Sequence, residues 1–127
     1  MLTYEQRQGR LYANDFLLGS GYSGNADGKN NPQRQAEHDV GPIPTGAYLI
    51  GDPHDSPEHG PFVLPLTPLH EAAALGRSGF LIHGDSIEHP GEASKGCIIM
   101  PRPTRERIAQ LGANPADRLL VVVSGNF

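Results

Sequence analysis

Hydrophobic and polar positions along this chain change rhythm every few residues, which predicts short strands separated by turns. Residues 2–7, LTYEQR, alternate as a half-buried strand does. Gln8-Gly9 marks a turn into Arg10–Tyr12, and Asn14-Asp15 a second turn before Phe16-Leu17-Leu18, so a small meander is expected. Gly19–Pro32, GSGYSGNADGKNNP, interrupts the rhythm with a long glycine- and asparagine-rich loop. Such a loop is either functional, mobile or a plain surface excursion. Gly41–Ile50, GPIPTGAYLI, starts as a turn stiffened by Pro42 and Pro44, bends at Gly46 and continues as a strand over Ala47–Ile50.

Asp52–Gly60 reads as turns and Phe62–Leu64 as a short strand. Pro68–Leu75 predicts a first short helix, with Thr67 as cap, Pro68 in the first turn and Gly76 as stop. Phe80-Leu81-Ile82 is an apolar strand that ends at His83, followed by a polar, acidic loop over residues 84–93. Cys97–Met100 is apolar again. Thr104–Leu111 predicts a second helix, capped by Thr104 and ended by Gly112. Leu119–Ser124, LLVVVS, reads as a buried strand, and Tyr48 as a core residue. The expected fold is mainly β with two short helices, a sandwich or partly closed barrel, in one domain spanning residues 1–127.

Composition narrows the function. Sixteen glycines and twelve prolines suit turns, and a net charge of -4 argues against nucleic-acid binding. No apolar run approaches the ~20 residues of a membrane span. The N-terminal MLTYEQRQGR has no apolar segment of the signal-peptide kind. One cysteine excludes an internal disulfide and paired-cysteine metal frameworks. Six histidines raise a zinc reading, with His54, Asp55, His59 and His38-Asp39 as its residues. No HExxH motif is present, and solvated side chains are the default in that Pro-rich stretch, so no metal and no cofactor are expected.

The chemistry concentrates in Phe80–Arg102, FLIHGDSIEHPGEASKGCIIMPR. A strand end is a rigid place for a base, and His83 occupies one. Cys97 is either a small buried hydrophobe or a reactive thiol. Gly96 lets the backbone approach closely, so the amides of Gly96 and Cys97 are the expected oxyanion hole. Lys95, Arg102, Arg105 and Arg107 are expected to lend the thiol a positive field. Either Asp85 or the Gly84 carbonyl would orient His83, and Ser94 would support the site. His89 competes as base from mid-loop. Tyr22 and Ser23 could line a substrate cleft.

These residues carry a resemblance. His83-Gly84, a spacer, then Ser94-Lys95-Gly96-Cys97 and an apolar stretch resembles the L,D-transpeptidase (YkuD-like) catalytic domain. GPIPTGAYLI resembles the strand that precedes that site. Tyr22-Ser23-Gly24, Asn30-Asn31-Pro32, Gly41–Gly46 and His83–Cys97 together resemble, more closely, the L,D-transpeptidase-like effectors of type VI secretion systems, over roughly residues 4–124. The resemblance implies an L,D-transpeptidase-like β fold with Cys97 as nucleophile and His83 as base. It implies peptidoglycan tetrapeptide stems as substrate, cut through a Cys97 thioester by an L,D-carboxypeptidase or L,D-transpeptidase that exchanges D-amino acids. It also implies secretion into the periplasm of a target bacterium, a cognate immunity protein and secretion-apparatus partners. Three departures stand out. Lys95 replaces the usual second histidine, Ile99 replaces an arginine, and the His83–Ser94 spacer is shorter. Arg102 is then the substitute contact for a substrate carboxylate, with Lys95 also expected among the substrate-binding residues. The opposing reading is a non-catalytic peptidoglycan-binding or adaptor module that keeps the fold.

Overall fold

The computed structural model describes residues 1–125. Its strands are β1 (Leu2–Glu5), β2 (Arg10–Ala13), β3 (Phe16–Ser20), β4 (Tyr22–Ser23), β5 (Gly46–Ile50), β6 (His54–Ser56), β7 (Gly60–Pro68), β8 (Leu81–His83), β9 (Ile98–Ile99) and β10 (Leu119–Val123). One helix, α1 (Arg102–Leu111), separates β9 from β10. The strand path runs β3-β2-β1-β10-β5-β7-β8-β9-β4, with β6 paired to β7 beside it. The expected N-terminal meander is present, and β10 lies parallel to β1 and antiparallel to β5, joining the two ends of the described chain.

The sheet is mainly β as expected, but it is not closed into a barrel: β3 and β4 stand at opposite ends of the path with no ladder between them. They are nevertheless successive in the chain, with only Gly21 between Ser20 and Tyr22. The covalent chain therefore brings the two edges together where hydrogen bonds do not. A Cβ on Gly21 would clash with the Ile99 carbonyl, so this corner admits only glycine without rearrangement.

One of the two expected helices forms. The Pro68–Leu75 segment does not: β7 runs through Pro68, and Thr67, expected as a cap, pairs with Leu49 in the β5 ladder. Only a single 3-10 turn follows, Glu71–Ala74, ended by Leu75 at φ +58°. Ladder pairing with β5 outweighs the local helix signal, which is weak by comparison. The second helix forms but starts earlier, behind Pro101; Thr104 sits inside it, buried, with Oγ1 3.5 Å from the Leu18 carbonyl. Gly112 ends it as expected, its N–H donating to Ile108.

The core lies between the sheet and α1, around Leu2, Tyr4, Leu64, Ile82, Ile98 and Ile108. Each such side chain stabilises the fold by roughly 1.5–3 kcal/mol on burial. Tyr48 belongs to this core, edge-on to Phe80 at 5.7 Å between ring centroids. β10 alternates, burying Leu120 and Val122 while Val123 is exposed, so it is half-buried rather than buried throughout. Among the described residues no helix is long and apolar enough to cross a membrane.

Candidate active site

β8 and β9 are parallel neighbours in which His83 stands opposite Ile99 and Ile82 opposite Ile98. Cys97 lies two residues before Ile99. Side chains alternate along a strand, so Cys97 projects from the same face as His83, one pleat away. Both line one groove of about 1000 Å³. The thirteen-residue excursion between them thus ends where it began.

His83 is almost fully buried, with Nδ1 2.8 Å from the Gly84 carbonyl. A carbonyl only accepts, so Nδ1 carries the proton and Nε2 keeps its lone pair for a base's work. Burial lowers the His83 pKa below its ordinary value of 6.5; the charges of His59 and Arg105 add to this, while the Gly84 bond and Asp85 oppose it. The imidazole is neutral near pH 7. Burial likewise pushes the Cys97 thiol up, against a hydrogen bond from the Leu81 backbone and the charge of Arg77. The resting pair is therefore thiol and imidazole, not thiolate and imidazolium, and the sulfur rests 3.7 Å from the Gly79 carbonyl.

The expected oxyanion hole is half available. The Gly96 N–H already donates to Ser94 Oγ at 3.1 Å, whereas the Cys97 N–H, outside the ladder, has no acceptor among the described residues. Ser94 is fully buried and acts as a node: Oγ accepts from Gly24 and Gly96 and donates to the Cys97 carbonyl at 2.6 Å. That fixes the turn carrying the sulfur.

The asparagine-rich loop turns out to be scaffold. Asn25 Nδ2 donates to the Ser94 carbonyl at 2.8 Å and the Asp39 carbonyl at 2.6 Å, and Asn30 Oδ1 accepts from Ser23 N–H. Ser23, with no exposure, accepts from Ile43 N–H and donates to the Gly96 carbonyl, so it braces the site rather than meeting substrate. Tyr22 is also buried. Its hydroxyl donates to Asp85 at 2.6 Å and accepts from Ala93, pinning the acidic loop. Burial pushes the Tyr22 pKa up to about 12, followed by the Asp85 hydrogen bond. Asp85 is thereby engaged away from His83, which leaves the Gly84 carbonyl as the orienting group.

The expected cationic field also needs correcting. Arg105 turns to the carbonyls of Met100, Pro61 and Phe62; Arg102 lies over the Phe62 ring and 3.5 Å from Glu106; Arg107 is exposed on α1. Tyr22 and Arg102 line a separate hollow of about 350 Å³. Of the four expected substrate contacts, only Lys95 faces the Cys97 groove. His89 reaches the groove as well, exposed and 3.8 Å from Glu92. Two groove residues were not foreseen. His59, delivered by the β6–β7 hairpin, packs on the His83 ring at 4.5 Å between centroids. Arg77 is buried against Lys95 and Gly96. Arg77 carried no local signal and His59 only that of the zinc reading, because both reach the groove from a turn and a loop distant in sequence. No group of three or more His, Cys, Asp or Glu stands placed to hold a metal ion among the described residues.

No curated protein matches this chain. The sequence profile of the Tlde1 domain matches residues 19–124, a span that takes in β4, the asparagine-rich scaffold, β8, β9 and the Ser94–Cys97 turn. The chain therefore belongs to the Tlde1 domain family, an L,D-transpeptidase-type catalytic family.

Proposed function

We propose that this protein cuts the tetrapeptide stems of bacterial peptidoglycan through a Cys97 thioester, as an L,D-carboxypeptidase and D-amino acid exchange enzyme. The observation that carries the reading is the sharing of one groove by Cys97 and a His83 whose Nδ1 is tied to Gly84, in a chain of the Tlde1 family. His83 Nε2 takes the thiol proton as the sulfur adds to the carbonyl of the third stem residue. The Cys97 N–H donates to the developing oxyanion. Collapse breaks the amide bond, and the imidazolium returns its proton to the departing amine of the terminal D-alanine. Water, activated by the same imidazole, then hydrolyses the thioester to the tripeptide acid; a D-amino acid amine in place of water gives exchange. An amine of a second stem would give a crosslink.

A neutral thiol at rest suits this order of events, because the base acts at the moment of attack rather than beforehand. Family membership further supports action as an antibacterial effector of type VI secretion in the periplasm of a target cell, with an immunity protein guarding the producer. Purified tetrapeptide muropeptide incubated with the protein is expected to lose D-alanine, read by mass spectrometry. Unchanged tetrapeptide with folded protein would overturn the reading in favour of a non-catalytic wall-binding module.

A further inference from the structure

Arg77 is the least expected residue of the groove. Its loop follows the Glu71–Ala74 turn, and its side chain is only 6% exposed. Nη1 donates to the carbonyls of Gln35 at 2.6 Å and Pro42 at 2.7 Å. Nη2 donates to the carbonyls of Gly41 at 3.0 Å and Lys95 at 3.1 Å. A guanidinium has two hydrogens on each Nη, so all four are engaged by the protein's own backbone. This arginine is therefore not a clamp for a substrate carboxylate. No carboxylate stands within ion-pair distance of it among the described residues; Asp39, in the same groove, acts on its charge only at longer range.

Its position next to the nucleophile is built on both sides. Gly96 has φ +131°, and a Cβ there would strike Nη2, so the glycine before Cys97 makes room for this guanidinium. From the other side, Gly79, two residues along Arg77's own loop, presents its carbonyl to the Cys97 sulfur. The Arg77 head group thus holds the two residues that precede Cys97, while the Arg77 loop meets the sulfur itself at Gly79.

We infer that Arg77 is a positioning residue for Cys97: it braces the 35–42 and 95–96 segments into one wall and supplies the fixed positive charge beside the sulfur. The inference rests on the reading of Cys97 as nucleophile, but its test does not require turnover. Cys97 is the only cysteine, so alkylation by iodoacetamide reports on it alone. Removing the charge in Arg77→Met is expected to slow alkylation at pH 8 about ten-fold and to move the midpoint of its pH profile up by about one unit. Arg77→Lys keeps the charge and is expected to stay within about three-fold of wild type in alkylation. It should nonetheless lose D-alanine release through kcat, because the fork that braces the wall is gone. Gly96→Ala, which displaces the guanidinium without removing it, is expected to slow alkylation in the same direction as Arg77→Met. Circular dichroism checks that each variant is folded. A folded Arg77→Met with the wild-type alkylation profile would overturn the inference. Should Arg77→Met not fold, wild-type alkylation in Gly96→Ala would do so instead. Absence of muropeptide cutting by every one of these proteins, wild type included, would count against the proposed substrate and leave the thiol result standing.

Discussion

Two buried arginines flank the β8–β9 pair, alike in burial and in being anchored by backbone carbonyls, but different in what they face. Arg77 and Arg105 are each 6% exposed, and each is held by backbone carbonyls with no buried acid beside it. Each is packed against a glycine next to a key residue: Arg77 against Gly96 before Cys97, and Arg105 against Gly84 after His83, where an added Cβ would lie 2.8 Å from Nη2. The neighbours respond in the same direction for different reasons. A positive charge favours the ionised thiol, so Arg77 pulls against the burial that raises Cys97. The same charge disfavours a protonated imidazole, so Arg105 adds to the burial that lowers His83. In the proposed reaction, one arginine would favour proton departure from sulfur, and the other would add to the burial that keeps the acceptor free of a proton. A buried cation has no fixed catalytic meaning apart from the group it faces.

The largest expected effect removes the pair that the arginines flank. Cys97→Ala and His83→Ala should each lower D-alanine release by more than about a thousand-fold in a muropeptide assay, with the fold retained. Activity in folded Cys97→Ala would end the comparison, since the two arginines would then serve no nucleophile.

Next comes the contrast between the arginines themselves. Arg105→Met strands the carbonyls of Met100, Pro61 and Phe62 and should cost about 3 kcal/mol in urea unfolding, from roughly 1–3 kcal/mol per stranded buried acceptor less relaxation. In that variant His83 should titrate at higher pH by NMR, opposite in functional sense to the loss of Arg77. A lower His83 pKa would show that the two flanks do not differ as described.

A smaller effect follows from linkage. Because burial lowers the folded His83 pKa below 6.5, the unfolded chain binds a proton that the folded one refuses. The stabilisation is complete above pH ~6.5 and is lost as pH falls through the folded pKa. Denaturant titrations between pH 7.5 and 5 should show falling stability in wild type and a flatter trend in His83→Gln; equal slopes would contradict it. The smallest expected shift is that of His59→Ala, which removes both an electrostatic contribution that lowers His83 and a covering ring. Both changes raise the His83 pKa, by about half a unit, readable in the acid limb of the rate profile.

The local chemistry of this chain is largely legible in its sequence. Alternation over residues 2–7 gives β1, the run at 119–124 gives β10, and the strand ending at His83 and the Gly96-Cys97 turn lie where the pattern puts them. Strong local signals such as these need no distant partner. The helix expected at Pro68–Leu75 was lost because β5 pairs with Thr67 and Pro68, and a ladder partner eighteen residues away leaves no trace in a local window. The oxyanion donors, too, depend on Ser94 occupying the Gly96 amide, a side-chain choice that spacing does not encode.

By itself, then, the sequence determined the residue types and the rigid strand end: one thiol, one imidazole and the glycine beside the sulfur. Only the tertiary structure decided which charges act on them. Of Lys95, Arg102, Arg105 and Arg107, all close in sequence to Cys97, only Lys95 faces its groove, and the buried cation that acts on the thiol is Arg77, twenty residues upstream. The reason is physical. Electrostatic influence follows distance and burial in space, and the sheet that sets both is built from pairings between strands far apart along the chain.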